Sequence, residues 1–282
     1  GGSPDENLTL LDGIEVYNPI HFARTGESMG VISIVNPALL QKVDFLTGGF
    51  PVRYGDKMSS VFDMSLRDGN KEVFNTDVNL NIAGFGLMLD GPLIENSNMV
   101  LSLRRGFFDL ITATLNRPVA PSYYDAVGKV TYDLDGKNKI SLLGFYYLDQ
   151  IERTGSEKDE PASWNRYDFL TRDDYGAAFG VNWRSLISEN AFTLTTASYT
   201  SNGWNTLQGT EFERSLMGED IRENELSLKS ELNYKLSTRF NFKIGGQYKS
   251  ISSFNESWTP EDTTRSGTII PANTISYNPD AT

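Results

Sequence analysis

The residues that usually carry catalysis or bind metals are scarce in this sequence. Its single His is His21 and it contains no Cys, which excludes or nearly excludes zinc sites, iron–sulfur clusters, disulfides and Cys nucleophiles. His21 has no obvious Asp or Ser partners around it, so a hydrolase triad is not predicted. We interpret His21 as a structural histidine with satisfied ring nitrogens. The sequence therefore predicts that the chain is not an enzyme.

Two acidic segments are of a type that could bind calcium: Asp133-Leu134-Asp135-Gly136 and Asp173-Asp174. The first lacks a downstream Glu at the spacing of a calcium loop, so we interpret it as a turn and the second as loop charge. The glycines of Gly84-Phe85-Gly86 lie inside a predicted strand and do not form a nucleotide-binding loop. No metal site and no cofactor are therefore predicted.

The composition narrows the class of protein. The 282 residues include 25 Lys and Arg against 37 Asp and Glu, a net charge of −12, which argues against a nucleic-acid partner. No run of 18 apolar residues occurs, so a transmembrane helix is excluded. A hydrophobic content of 39% and a mean hydropathy of −0.36 are typical of soluble proteins. A transmembrane β-barrel gives similar averages, however, because its strands alternate apolar and polar residues.

From about residue 74 the chain consists of long segments in which apolar and polar residues alternate. These segments would have to position any functional side chain. In residues 225–236, for example, Leu226 and Leu228 alternate with Glu225 and Lys229. A helix would bring these charges onto its apolar stripe, so the alternation predicts strands with one apolar and one polar face. The pattern gives about eight strands, at residues 77–82, 98–107, 123–134, 139–149, 174–184, 191–200, 225–236 and 240–249.

The connections between these strands alternate in length. Short links at residues 90–98, 133–138, 185–190 and 236–239 alternate with long polar links at 108–122, 150–173, 201–223 and from 252 onward. In the link 133–138, Gly136 is available for a positive φ. Outer-membrane barrels keep short turns on the periplasmic side and long loops outside. The pattern therefore predicts an antiparallel transmembrane β-barrel.

Aromatic residues lie near many of the predicted strand ends, as the girdles of a membrane barrel would require. The alternative is that aromatic residues are simply common in strands. The residues concerned are Phe107, Phe108, Tyr123, Tyr124, Tyr146, Tyr147, Trp183, Tyr199, Trp204 and Tyr248.

The first 70 residues have a different texture. Short apolar runs at residues 8–11, 31–35 and 43–46 are separated by Gly, Pro and Asn, which predicts short strands joined by turns. Residues 37–41 predict one helical turn, with Asn36 as its cap and Pro37 at its first position. This part of the chain is predicted to be a small mixed α/β unit.

This first region resembles the plug domain of TonB-dependent outer-membrane receptors of the Bacteroidetes type. The resemblance rests on residues 1–14, which include Asp12-Gly13 and precede Val16-Tyr17-Asn18-Pro19. It also rests on Gly48-Gly49-Phe50-Pro51-Val52-Arg53-Tyr54-Gly55-Asp56, followed by Ser59-Ser60-Val61 and Arg67-Asp68-Gly69-Asn70. Asp12-Gly13 and Gly48-Gly49 permit tight turns through positive φ. Arg53 could bind carboxylates of a barrel wall, and Arg53, Tyr54 and Gly55 are expected to have a structural or gating role.

The resemblance implies a plug at residues 1–72, followed at residues 73–282 by the first strands of a barrel of about 22. Such a receptor lies in the outer membrane, binds a scarce nutrient and imports it when TonB pulls on an N-terminal segment. The ligand could be a siderophore, a glycan, a peptide or a vitamin, and a surface lipoprotein partner would favour a glycan or a peptide. The chain ends predict a fragment that lacks the signal peptide, the TonB-binding segment, the first part of the plug and the later strands.

Two other readings remain open at this point. One is an acidic extracellular β-sandwich that binds glycans or adhesion partners. The other is a surface-exposed barrel that acts as an enzyme or a passive porin. The motifs of the first 70 residues argue against both, and the regular alternation of short and long connections argues against the sandwich.

Overall fold

A computed structural model of the chain describes residues 6–23, 32–55, 57–81, 84–109, 119–154, 169–209, 217–263 and 269–277. Among them, no helix is both long and apolar enough to cross a lipid bilayer. The described residues form two main sheets. We call residues 6–70 the N-terminal unit, and the ten-stranded sheet that follows them the large sheet.

The N-terminal unit contains a small mixed sheet and a two-stranded ribbon. The mixed sheet has the order β2-β1-β6-β5, in which β1 and β6 are parallel and the other pairs are antiparallel. The ribbon pairs β3 with β4. The strands are β1 (Asn7–Leu11), β2 (Ile14–Glu15), β3 (Ile20–His21), β4 (Ile32–Ser33), β5 (Leu40–Thr47) and β6 (Ser60–Leu66).

The predicted helical turn is a short 3-10 helix, Pro37–Leu39. The Asn36 side chain accepts a hydrogen bond from the amide of Ala38 at 3.0 Å, so Asn36 is the cap, and Pro37 stands at the start of the helix. Gln41 already belongs to β5. Asp12 and Gly13 form the turn between β1 and β2, with φ angles of 49° and 82°. The positive φ expected at Gly48 is also present, at 88°.

The large sheet is antiparallel throughout, and each strand lies beside its neighbours in sequence apart from the small hairpin of β16 (Asp262–Thr263) and β17 (Ile269–Ile270). This single sheet with sequential order differs from the two facing sheets of the sandwich alternative. Its strands are β7 (Asn75–Asn81), β8 (Gly84–Pro92), β9 (Ser97–Gly106), β10 (Val119–Asp133), β11 (Asn138–Thr154), β12 (Phe169–Ser188), β13 (Ala191–Gly209), β14 (Met217–Lys235), β15 (Asn241–Thr259) and β18 (Asn273–Tyr277).

The large sheet has two strands beyond the eight predicted ranges: β18, and β8, of which only Gly84-Phe85-Gly86 were expected in a strand. Several other strands are longer than predicted. β12 has 20 residues and β13, β14 and β15 have 19 each. Parts of the predicted long links at 150–173 and 201–223 are therefore strand. Polar side chains do not prevent the backbone hydrogen bonds that pair neighbouring strands. Residues 110–118, 155–168, 210–216 and 264–268, the middle parts of the predicted long links, lie outside the described residues.

The short connections agree with the sequence in length but not in every detail. β12 and β13 are joined by two residues, 189–190, and β10 and β11 by four, 134–137. The prediction that Gly136 adopts a positive φ is wrong, since only Gly13 and Gly48 do so among the described glycines. The turn is closed instead by Asp135, whose carboxylate accepts hydrogen bonds from the amides of Lys137 and Asn138, both at 2.7 Å. A side-chain turn of this kind removes the need for a left-handed glycine.

β14 of the large sheet separates two faces as the alternation predicted. On β14, Leu226 and Leu228 are 55% and 52% exposed, whereas Glu225, Ser227 and Glu231 are buried. We call the face that contacts the N-terminal unit the inner face, and the opposite face, which carries the exposed apolar row, the outer face. Buried carboxylates and exposed leucines on one strand are the reverse of the pattern in a soluble protein.

The aromatic residues divide between the two faces. Tyr124, Tyr146, Trp183, Tyr199 and Tyr248 are on the outer face and are 38–66% exposed, as girdle residues would be. Tyr123 and Tyr147 are instead buried on the inner face. Their rings cover the glycines directly opposite on the neighbouring strands, Gly106 and Gly176. A Cβ on either glycine would lie 2.1 Å from a ring carbon.

Candidate functional site

The contact between the N-terminal unit and the inner face is the most extensive arrangement of side chains in the molecule. It has two parts. We call the inner face of β9, β10, β11 and β12 the first wall, and that of β14 and β15 the second wall. The two walls hold the N-terminal unit by different kinds of interaction.

One hydrophobic cluster joins the N-terminal unit to the first wall. The N-terminal unit contributes eight residues, and the wall contributes six residues to the same cluster. The members from the N-terminal unit are Leu11, Ile14, Val16, Ile34, Val35, Leu39, Met64 and Leu66; those from the wall are Val100, Val127, Leu143, Phe145, Tyr147 and Ala178. Because this is a shared core, separating the two parts would expose apolar surface on both.

Gly180 on β12 permits the closest approach within this cluster. A Cβ at this position would lie 2.1 Å from Cδ1 of Ile14. Ile14 is almost fully buried, so it has little space into which to move. The glycine is therefore required by packing between the two parts of the molecule and not by its backbone conformation.

His21 is buried at the centre of a charged network on the first wall. Its Nδ1 lies 2.5 Å from Oδ1 of Asp149 on β11, and its Nε2 lies 2.9 Å from Oδ2 of Asp125 on β10. The ring of Tyr123 stacks beside it, with centroids 4.1 Å apart. His21 thus has the satisfied nitrogens that the sequence analysis expected, but with two partners that sequence reasoning missed.

Two arginines of the wall extend this network to the backbone of the N-terminal unit. Arg104 binds Asp125 (Nε to Oδ1, 3.0 Å) and donates through Nη2 to the carbonyls of Ser33 and Ile34. Arg172 forms a two-pronged pair with Asp174, with both distances at 2.8 Å, and donates to the carbonyl of Ala23. The guanidinium groups satisfy both carboxylates and buried carbonyls, which a lysine could not do in the same geometry.

The pKa of His21 reflects two opposing effects. Burial by itself lowers this pKa, but the hydrogen bonds and charges of Asp125 and Asp149 outweigh burial and raise it above the ordinary value for histidine. The charged imidazolium is therefore favoured in the docked arrangement.

A second ionic cluster lies nearer the short turns of the sheet. Lys129 on β10 binds Asp12 and Asp68, both at 3.1 Å, and Lys139 on β11 binds Asp68 at 2.5 Å. Burial raises the pKa of Asp12 despite the neighbouring Lys129. Burial also acts to raise the pKa of Asp68, but the two lysines more than compensate and lower it. These pairs bind the β1–β2 turn and the segment after β6 to the wall.

The second wall contacts the N-terminal unit mainly through charges. Lys249 on β15 pairs with Glu15 and, at 3.2 Å, with Glu225 on β14. Glu225 also accepts a hydrogen bond from the hydroxyl of Tyr17. Burial, reinforced by this hydrogen bond, raises the pKa of Tyr17, so the phenol stays protonated and continues to donate.

The loop that carries the second motif faces the same wall. Arg53 lies 3.8 Å from Glu231 (Nε to Oε2), and its guanidinium stacks over Tyr54 at 5.0 Å from the ring centroid. The Tyr54 hydroxyl donates to Asp63 at 2.8 Å, and burial together with this bond raises the pKa of Tyr54 to about 12. An open cleft of about 1120 Å³ separates residues 51–55 from β14 and β15.

The structure divides the residues of the two motifs between these regions. Asp12 and Gly13 lie at the turn that meets Lys129, and Asn182 donates to the Asp12 carbonyl at 2.9 Å. Arg53, Tyr54 and Gly55 line the cleft of the second wall. Gly48 and Gly49 are exposed, and a Cβ on either would have open space around it. Gly13, Arg53 and Gly55 also line one small pocket together, whereas Gly48 and Gly49 do not. The structural or gating role of the motif residues stays a prediction.

Sequence reasoning missed the carboxylates that clamp His21 because they are more than 100 residues away from it. The alternation gives little signal for them, since Asp149 shares its face of β11 with the buried Phe145 and Tyr147. Asp149 also lies directly opposite Asp174 on the neighbouring strand. Acidic side chains lining one face of two adjacent strands require cations between them. Within the described ranges, no group of three or more His, Cys, Asp or Glu residues is arranged to hold a metal ion.

Comparison with known proteins identifies the fold. No protein-family model matches the sequence, and no curated protein matches it either. Among solved structures, the chain is similar to the siderophore receptor PiuA from Acinetobacter baumannii, with 11% identity and a TM-score of 0.62. It is also similar to the outer-membrane transporter YddB from Escherichia coli, with 13% identity and a TM-score of 0.59.

The fold is that of TonB-dependent outer-membrane receptors. The match covers 95% of this chain and 41% of PiuA, and 97% of this chain and 45% of YddB. The chain thus spans less than half the length of these proteins. The predicted fold class, a partial antiparallel β-barrel with a small N-terminal plug-type unit, is confirmed.

Proposed function

We propose that this chain is part of a TonB-dependent outer-membrane receptor that binds a scarce nutrient and imports it through a plug-gated barrel. One observation carries the proposal. The N-terminal unit packs, through a hydrophobic cluster and ion pairs, against the inner face of a sheet whose outer face exposes an apolar row. This arrangement suits a barrel in lipid whose lumen is filled by a folded unit.

The sheets support a division of the chain into two parts. The last strand of the small sheet, β6, ends at Leu66 and the first strand of the large sheet, β7, begins at Asn75. We assign residues 1–72 to the plug and residues 73–282 to the barrel. The Bacteroidetes-type family remains our interpretation of the Asp12-Gly13 and Arg53-Tyr54-Gly55 motifs.

The partners proposed for the whole protein are outer-membrane lipid, TonB and a small nutrient ligand. Similar structures include a siderophore receptor and a copper transporter, which supports uptake of a small solute without specifying it. Siderophores, glycans, peptides and vitamins stay candidates, and a surface lipoprotein would favour a glycan or a peptide. The similar structures named here are receptors and transporters, which favours transport over catalysis. A passive porin is disfavoured because its lumen has to stay open.

Growth on limiting nutrients tests this proposal. A strain lacking the full-length gene is compared with its parent on limiting iron–siderophore complexes, glycans, peptides and vitamins, with a TonB-deficient strain in parallel. We expect both mutants to lose growth on the same nutrient and the complemented strain to recover it. Unchanged growth on every nutrient, or a defect that does not depend on TonB, would contradict active import.

Fractionation tests the membrane location separately. The full-length protein is expected in the outer-membrane fraction, where it should migrate differently on a gel with and without heating. A freely soluble protein with heat-independent migration would overturn the barrel assignment.

A further inference from the structure

The geometry around His21 determines how many of its ring nitrogens carry a proton. Both ring nitrogens lie within hydrogen-bond distance of a carboxylate oxygen, Asp149 on one side and Asp125 on the other. A neutral imidazole carries one N–H, so one of these contacts would place two lone pairs against each other. Two protons are needed to satisfy both contacts, and an imidazolium supplies them.

The remaining oxygens of the two carboxylates are already occupied by donors. Asp149 accepts the amide N–H of Phe22 through Oδ2 at 2.6 Å. Asp125 accepts from Arg104 through Oδ1 at 3.0 Å. The second oxygen of each carboxylate thus accepts a hydrogen bond, and this bond stabilises the ionised form of the carboxylate. The proton shared with His21 then belongs on the imidazole.

The charges around the site balance when His21 is a cation. The charged groups of this network are Asp125 on β10 and Asp149 on β11, which contact His21, Arg104 on β9, which pairs with Asp125, and the ion pair of Asp174 and Arg172 on β12. The side chains of His21, Asp125 and Asp149 are at most 1% exposed. Tyr123 and Tyr147 face its ring as neutral phenols. Three carboxylates match two guanidinium groups and one imidazolium. A neutral His21 would leave one negative charge in a buried place, which is costly.

We propose that His21 is held as an imidazolium and acts as a proton-dependent latch, fixing residues 20–23 of the N-terminal unit to the first wall. The latch rests on the docking geometry and not on which ligand the receptor imports. It adds regulation to the proposed function: the plug segment stays docked in neutral or acidic surroundings and loosens in alkaline ones.

The direction of this pH dependence follows from linkage. Docking raises the pKa of His21 above its undocked value, which is about 6.5. The stabilisation is complete below the undocked pKa and declines by up to about tenfold in the docking constant per pH unit above it. This stabilisation is lost once the pH has risen through the pKa of docked His21. Above that pH the docking constant no longer changes with pH.

The protonation state can be observed directly, because His21 is the one histidine of this chain. The full-length receptor is labelled with ¹⁵N-histidine, and the His21 signals are assigned by their loss in His21→Gln. We expect both ring nitrogens to show imidazolium shifts at pH 7 and to keep them above the pH at which free histidine titrates. A neutral imidazole at pH 7, in either tautomer, would overturn the proposal.

Asp125→Asn tests the latch without deleting the histidine. With Asn at this position, a neutral His21 donates to Asp149 and accepts from the amide, and the charges balance again. Hydrogen exchange of residues 20–23, corrected for intrinsic rates, should lose protection in the wild-type receptor as the pH rises from 6 to 10. In Asp125→Asn it should change less than about twofold over that range.

Exchange in β1 serves as the internal control for folding. Equal pH dependence in the two proteins, with β1 protected in both, would refute the latch. The double variant His21→Gln with Asp125→Asn should dock better than His21→Gln alone, because it removes the unbalanced charge; the reverse order would also refute it. None of these measurements uses ligand or uptake, so their failure leaves the proposed function untouched, and failed uptake leaves the latch untouched.

Discussion

The two walls hold the same N-terminal unit in different ways. The first wall shares a hydrophobic cluster with it and clamps His21 between carboxylates. The second wall meets it through ion pairs beside an open cleft of about 1120 Å³. A shared core separates only at the cost of exposing apolar surface, whereas the second wall holds the N-terminal unit through ion pairs whose carboxylates are at most 10% exposed. The first wall is therefore the apolar anchor of the N-terminal unit, and the second wall holds it by charge.

A few consecutive residues show how the chain serves both walls. Ile14 and Val16 belong to the hydrophobic cluster of the first wall. Glu15 and Tyr17, which alternate with them, bind Lys249 and Glu225 of the second wall. Because neighbouring side chains of an extended segment point in opposite directions, one short stretch between the walls supplies apolar groups to one and polar groups to the other.

Leu66→Ala is the change expected to have the largest effect on the anchor. Leu66 is fully buried in the shared cluster, and truncation of such a leucine costs ~2–5 kcal/mol. The urea concentration at which β1 loses its protection from hydrogen exchange should fall. Val52→Ala, a fully exposed position that lines the second-wall cleft, is the matched control and should have little effect. Equal shifts would mean that the first wall is not the anchor.

Leu228→Arg and Lys229→Leu separate the two faces of the second wall. Leu228 is exposed on the outer face, where a charge at the bilayer midplane costs ~2–4 kcal/mol. Lys229 is on the inner face, and its Nζ donates to the Arg53 carbonyl at 3.4 Å. Leu228→Arg should block insertion of the full-length protein, measured as loss of the band that shifts on heating, and Lys229→Leu should be milder. The assignment of faces fails if both variants insert equally.

Gly180→Ala tests how closely the first wall is packed. The new methyl group would collide with Cδ1 of Ile14, and overpacking of this kind costs ~1–3 kcal/mol. Adding Ile14→Val removes that carbon and should restore part of the loss. Gly246→Ala on β15 is the control, since a Cβ there would have open space. The urea midpoint of β1 protection measures all three, and an absence of rescue by Ile14→Val would argue against the collision.

Arg53→Gln should have the smallest effect. Its pair with Glu231 is long, at 3.8 Å, and a third of the Arg53 side chain is exposed, so the loss should be ~0–1 kcal/mol. Exchange of residues 51–55 should become faster, and 1 M salt should reproduce that change in the wild-type protein. A loss as large as that of Leu66→Ala would reverse the roles of the two walls.

Much of the fold could be predicted from local pattern. The alternation around Leu226 and Leu228 specified both the strand and its faces, because the side-chain period of a strand is two. Asn36 and Pro37 marked their helical turn, since capping depends on adjacent residues. Only Gly84-Phe85-Gly86 of the strand β8 were expected in a strand, because its glycines interrupt the alternation. The second half of β13 was missed because its polar residues resemble loop sequence. A positive φ at Gly136 was expected to form the turn at residues 133–138, and hydrogen bonds to the Asp135 side chain form it instead.

The candidate site divides in the same manner. The sequence by itself determined that the first 70 residues differ from the rest, that catalysis by Cys or a histidine triad is not expected, and that strands such as residues 225–236 have one polar and one apolar face. Only the tertiary structure decided which polar residues meet. Asp125 and Asp149 reach His21 across 104 and 128 positions, and Ile14 reaches Gly180. Strand register and the docking of one unit on another create such contacts, and neither is encoded in local periodicity.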